Sequence, residues 1–291
     1  MSGAHGRREA PPPPEPLAAP TVDAHTHLDA CGCVSAEDVR AAMDRAEAVG
    51  VTRAVTVADD LASARWVVQA AHWDDRVVAA VALHPTRTAA LTEDDHAEIE
   101  RLARDPRVVA VGETGLDYYW DYSPPEAQQE SFRRHIDLAK RLGKPLMIHD
   151  RDAHDDVLRI LREEGAPDAV VFHCFSGDAA MARECAGAGY VLSFAGPVTF
   201  RNARALQEAA VVVPEDQLLV ETDAPFLTPH PHRGRANEPY CLPWTVRGIA
   251  DLREVPDERL AESAGRNAER VFGLAELPPV AAPTGEASRS A

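Results

Sequence analysis

Residues 108–119 read VVAVGETGLDYY. Four apolar positions, three of them β-branched, have the length and composition of a strand buried on both faces, and they run straight into Gly112 and an acid, Glu113. The same construction recurs along the chain. VDAHTHLD spans 22–29, PLMIHDR spans 145–151, VVFHCFSG spans 170–177 and LLVETDAP spans 218–225. In all, eight short apolar runs begin near Val22, Val51, Val77, Val108, Pro145, Val170, Tyr190 and Leu218, with helical segments following most of them. Ser35 is placed to cap a helix over Ala36–Val49 that stops at Gly50. Pro124 and Pro125 open a second helix that runs to Leu142 before Gly143, and Gly165 closes a third. Eight strand-then-helix units in about 250 residues predict an α/β fold, a (β/α)8 TIM barrel. An open doubly wound sheet fits less well, because no Gly-x-Gly-x-x-Gly turn follows the first strand.

The ends of the runs carry the chemistry, because the loops at the carboxyl ends of barrel strands build its site. His25 and His27 are two apart and leave the same face of a strand. Glu113, His149, His173 and Asp223 each stand at or just after the end of another run. Barrel closure gathers these four imidazoles and two carboxylates at one mouth, a set suited to a pair of divalent cations with one carboxylate bridging them. Unpaired acids crowded on one rim are costly unless a cation balances them. His84, in Leu83-His84-Pro85, ends the third run and is expected to touch substrate rather than metal. His72, His96, His135 and His154 fall in helical segments with polar neighbours and are read, with His5, as surface residues.

Composition narrows the class. The 291 residues carry 30 Lys plus Arg against 47 Asp plus Glu, a formal charge of −17, which argues against a basic nucleic-acid-binding face. The longest apolar run, Val77–Leu83, is too short to span a membrane, and the start of the chain has a proline run where a signal peptide has its apolar core. A cytoplasmic, monomeric protein is expected. Five cysteines, an odd number, fit reduced thiols, and Cys31-Gly32-Cys33 is a weak metal signal read as two loop thiols. Residues 1–20 hold six prolines and residues 276–291 return to Pro, Ala, Gly and Ser, so both are read as disordered tails around a domain at 21–275.

Taken in order, the segments 22–29, 112–119 (GETGLDYY), 145–151, 173–177 (HCFSG), 221–229 (ETDAPFLTP), 235–239 (RANEP) and 267–273 (NAERVFG) resemble the TatD-type metal-dependent deoxyribonucleases, a branch of the amidohydrolase-like barrels. The resemblance covers roughly residues 21–274. It implies a (β/α)8 barrel holding two metal ions (Mg²⁺, Mn²⁺ or Zn²⁺) that hydrolyses phosphodiesters, usually as a 3′–5′ exonuclease on single-stranded or frayed DNA, with RNA as a further substrate. It also implies that His25, His27 and Asp223 hold the first metal and His149 and His173 the second, with Glu113 bridging. Glu113 and Asp223 are then the catalytic carboxylates. Substrate contacts are expected from Arg151, Arg235, His84 and Tyr118, the arginines on backbone phosphates and the tyrosine, with Tyr119, on a base.

Leu83 replaces a glycine often found there in the family, and Ala236 a frequent basic residue; both bear on substrate preference rather than hydrolysis. The same ligands would serve an ester or amide hydrolase such as a D-aminoacyl-tRNA deacylase, which stays open as an alternative. A non-catalytic scaffold is disfavoured by the intact ligand set. Two divalent ions would make an acidic rim attractive to phosphate, so a nucleic acid is expected to bind weakly, by a strand end.

Overall fold

The computed structural model describes residues 9–277 and 279–280. Eight strands lie parallel in chain order: β1 (Thr21–Thr26), β2 (Val51–Val57), β3 (Val77–Val81), β4 (Val108–Asp117), β5 (Leu146–Arg151), β6 (Val170–Phe172), β7 (Val191–Phe194) and β8 (Leu218–Val220). A bridge between Thr26 and Ala224, with Asp223 N–H donating to His25 O at 2.9 Å, joins the two ends of the sheet. The predicted TIM barrel is therefore the observed fold. All eight strands start within one residue of the apolar runs that foretold them.

The helices lie outside: α1 (Ala36–Glu47), α2 (Leu61–Ala71), α3 (Glu93–Ala103), α4 (Pro125–Leu142), α5 (His154–Glu164), α6 (Ala179–Gly187), α7 (Arg204–Val212), α8 (Leu242–Arg253) and α9 (Asp257–Phe272). Their ends follow local chemistry. Ser35 and Asp38 form a reciprocal capping box at the start of α1, and Gly143 ends α4 in the left-handed conformation. The barrel interior is a buried cluster that includes Val22, Val55, Val57, Met147, Val171 and Leu219, closed at the amino-terminal end by Val271, Phe272 and Leu274. A second, larger core lies between strands and helices. The interior is a filled plug, so ligands can enter only from the opposite, carboxyl-terminal mouth.

Two irregularities aim the site. Between Asp23 and Thr26, β1 uses one more residue than β2, and between Val111 and Thr114, β4 uses one more than β5. Val22 and Ala24 point inward; the extra residue then turns His25 and His27 inward as well. In β4, Val111 packs in the helix-side core and Thr114 meets His135 of α4, so an unbroken alternation from Val111 would send Glu113 outward. The bulge reverses that. It depends on close contact with β5: a Cβ on Gly112 would stand 2.4 Å from Met147 Cβ, and Gly115 (φ +132°) passes hard against the His149 carbonyl.

The segment before β1 is not a loose tail where it is described. Residues 9–20 run along the barrel, with Pro11, Pro14 and Leu17 buried. Leu17 N–H donates to Val49 O at 3.1 Å, the Tyr240 hydroxyl to Pro11 O at 2.7 Å and Arg247 to Glu15 O at 2.8 Å. Proline-rich sequence lacks donors but keeps its carbonyls, and those are what the barrel grips. The expected carboxyl-terminal tail at 276–291 lies mostly outside the described residues.

Candidate metal centre

At the mouth, every predicted imidazole is anchored by one ring nitrogen and presents the other to a common centre. His25 Nδ1 faces Met147 Sδ at 3.1 Å and His27 Nδ1 donates to Val57 O at 3.0 Å, so both turn Nε2 inward, 3.2 Å apart. His149 is reversed: its Nε2 meets Asp117 Oδ2 at 2.9 Å and its Nδ1 faces Glu113 Oε1 at 2.7 Å. His173 Nδ1 is held by Glu221 Oε1 at 3.1 Å, with Nε2 2.7 Å from Glu113 Oε1. These outer partners fix which nitrogen carries the proton and leave the inner lone pair free, the arrangement of metal-binding histidines.

Glu113 sits between two half-sites, 3% exposed. Its Oε2 is 3.5 Å from His25 Nε2 and 3.9 Å from His27 Nε2, while Oε1 faces His149 and His173. Asp223 Oδ1 closes the first half-site, 3.5 Å from His27 Nε2 and 3.8 Å from His25 Nε2. Four imidazole nitrogens and two carboxylates therefore fit a divalent metal centre by donor type and by direction, and His25, His27 and Glu113 lie close enough together to share one ion, as do His84, Glu113 and His149.

The proton balance supports that fit. Burial alone would lower the proton affinity of His27 and His149, yet neighbouring acids outweigh it. Asp223, Asp59 and Glu113 push His27 up to about 10, and Asp117 and Glu113 push His149 up to about 9. His173 rises well above its ordinary value as Glu113 and Glu221 overcome burial, and His173, His84 and His149 hold the Glu113 carboxyl well below the usual range against its own burial. Only His25, buried and beside His173, falls, to about 3. The acids thus demand positive charge at this point, which protons meet when no metal does.

A family model described as TatD related DNase matches residues 22–273. The chain belongs to the TatD family. It is 62% identical over 258 residues to the uncharacterized metal-dependent hydrolase TatD of Mycobacterium tuberculosis, covering 87% of this chain and 98% of that relative. A protein of Erwinia billingiae named as the 3′-5′ ssDNA/RNA exonuclease TatD is 38% identical over 199 residues, 66% of this chain and 76% of its own. The crystal structure of YjjV, a TatD homologue of Escherichia coli K12, superposes with a TM-score of 0.81 at 28% identity, over 87% of this chain and 98% of that one. The protein is accordingly a metal-dependent hydrolase of the TatD family.

Around these ligand candidates lies a cavity of about 570 Å³. Of the substrate contacts expected from sequence, His84 and Arg151 line it. The backbone N–H of Thr86 donates to His84 Nδ1 at 3.2 Å, so the neutral ring carries its proton on Nε2, 3.5 Å from Glu113 Oε1. His84 thus faces the mouth through Nε2 and groups closely with Glu113 and His149. Tyr118 and Arg235 do not reach the cavity wall. The Tyr118 hydroxyl donates to Asp156 Oδ2 at 2.8 Å, on α5, and Arg235 faces Glu9 of the amino-terminal arm at 3.7 Å. Tyr119 lies under the Arg151 guanidinium, 3.8 Å from ring centroid to Cζ. Sequence reading missed Arg87, Trp120, Tyr122, Phe226 and Leu227, which do line the cavity, and the anchoring acids Asp117 and Glu221. Cys31 and Cys33 are free and join no metal-capable cluster among the described residues. No helix among the described residues is long and apolar enough to cross a membrane.

Proposed function

We propose that the protein is a two-metal phosphodiesterase that removes nucleotides from the 3′ end of single-stranded or frayed DNA, with RNA as a second substrate. The observation that carries the two-metal part is the Glu113 carboxylate, whose two oxygens face two different groups of bare imidazole nitrogens. The activity in the Erwinia relative's name and the family description support a nucleic acid as the substrate.

Divalent cations at this centre would acidify a water and offset the charge that grows on the phosphoryl oxygens. The chain's own groups do the rest. Asp223, 8% exposed and on the first half-site, is the carboxylate placed to accept the proton of an attacking water. Asp117 and Glu221 hold His149 and His173 in register, so little reorganisation is needed at reaction. His84 offers its Nε2–H to a phosphoryl oxygen. Arg87 and Arg151 make no salt bridge among the described residues, although most arginines here do, which leaves their charge for phosphates. On a chain of charge −17, a cationic grip of two arginines at this opening favours a strand end over a long duplex footprint.

The test is end-labelled single-stranded DNA or RNA incubated with the full chain in Mg²⁺, Mn²⁺ or Zn²⁺. Stepwise shortening from the 3′ end is expected. Absence of cleavage in all three metals refutes the nuclease reading.

A further inference from the structure

Exposed aromatic surface is concentrated in one place. Seven large apolar side chains are exposed among the described residues; Trp120, Tyr122, Phe226 and Leu227 line the mouth, and Tyr119 adjoins it. Leaving such groups in water is unfavourable, and a cluster of them marks a binding surface. Trp120 and Tyr122 are stacked face to face, centroids 5.3 Å apart at 7°, and the Arg151 guanidinium lies 5.7 Å from the Trp120 ring. They follow β4, whereas Phe226 and Leu227 follow β8, half a turn away around an eight-stranded barrel. Phe226 stands edge-on to the ligand candidate His27, centroids 6.0 Å apart. The metal centre thus lies at the floor of a cleft with an aromatic wall on one side and an apolar wall on the other.

We propose that Trp120 and Tyr122 form the platform on which the base of the 3′-terminal nucleotide stacks, and that this stacking selects unpaired strand ends. The inference rests on the nuclease reading above and deepens it. A paired terminal base must break its pair to turn onto the wall, at a cost in free energy; a frayed terminal base is already free to do so. Every base has a face to stack, so the platform accepts all four. Arg151, fixed over Tyr119 at the edge of the platform, is placed to take a phosphate of the same strand. The cluster lies in a segment where sequence alone drew attention to the two preceding tyrosines.

The test compares two single-stranded oligonucleotides, one ending in an ordinary 3′ nucleotide and one in an abasic 3′ residue, with the metal-loaded full chain. The readout is the ratio of kcat/KM values, in which a general loss of activity cancels. Stacking of one base predicts a preference of roughly 5- to 150-fold for the ordinary end, expressed mainly in KM. In the Trp120→Ala/Tyr122→Ala double variant the ratio should fall towards one, and in Trp120→Phe it should largely return. A wild-type ratio near one, or a double variant that keeps the wild-type ratio, overturns the platform while leaving the nuclease reading intact. Failure of the wild type to cut either oligonucleotide overturns both.

Discussion

Two kinds of buried histidine occur in this protein, and their surroundings set opposite behaviour. His149 and His173 lie at the mouth among carboxylates, which raise their proton affinity although His173 is buried and His149 half-buried. His135, read from sequence as a surface residue, is 1% exposed on α4; its Nδ1 meets Thr114 Oγ1 at 2.9 Å and its Nε2 has no hydrogen-bond partner. Burial pushes it down to about 3, helped by His96. Residue type is the same, and His173 is buried as His135 is. The difference is the acids, which make the mouth a receptor for positive charge and leave the helix layer a place where an imidazole must stay neutral.

The strongest way to break this contrast is to remove the acid at its centre. Glu113→Ala takes the shared carboxylate from both half-sites, and bound metal measured on the purified protein should fall together with turnover, to background. Retained turnover would refute the bridging role. Next in size is the pH response of the helix layer. His135 has a folded value of about 3 against an ordinary 6.5, so the stability tied to its neutral form is complete above pH 6.5 and is lost as pH falls below it. Relative to His135→Gln, the wild type should lose about 1.4 kcal/mol per pH unit, nearly 3 kcal/mol by about pH 4.5, measured by denaturant unfolding.

Smaller effects probe what surrounds the ligands. Glu221→Gln keeps shape but weakens the anchor on His173, and should cost about 10–100-fold in metal affinity or activity, read by metal titration. Arg87→Ala should lower oligonucleotide affinity uniformly across sequences and reduce the salt dependence of binding by about one unit of slope. An unchanged salt slope would place that guanidinium off the path of the strand.

Much of this was legible in the chain. A strand buried on both faces has to be continuously apolar, so eight such runs were visible, and the polar residue ending each run had to lie at one mouth once the barrel closed. That reasoning singled out His25, His27, Glu113, His149, His173 and Asp223, all six of which the structure brings together at the mouth. It failed where side-chain direction matters. Tyr118 and Trp120 are two residues apart, and only the path of the loop after β4 turns one towards α5 and the other into the cavity. Arg235 was placed in the mouth by motif, whereas the arm at residues 9–20 passes close enough for Glu9 to face it. Nothing in a proline-rich segment announces which carbonyls another element will bind.

By itself the sequence determined the architecture and the ligand types, because the period and length of apolar runs, the capping residues and the identities of the donors are local properties. Only the tertiary structure decided where those donors point. One extra residue in β1 and one in β4 turn His25, His27 and Glu113 into the barrel, and whether a strand bulges depends on the register it keeps with its neighbour. The same holds for charge: an imidazole's proton affinity follows from the acids that folding brings within a few ångströms, and those lie far away along the chain.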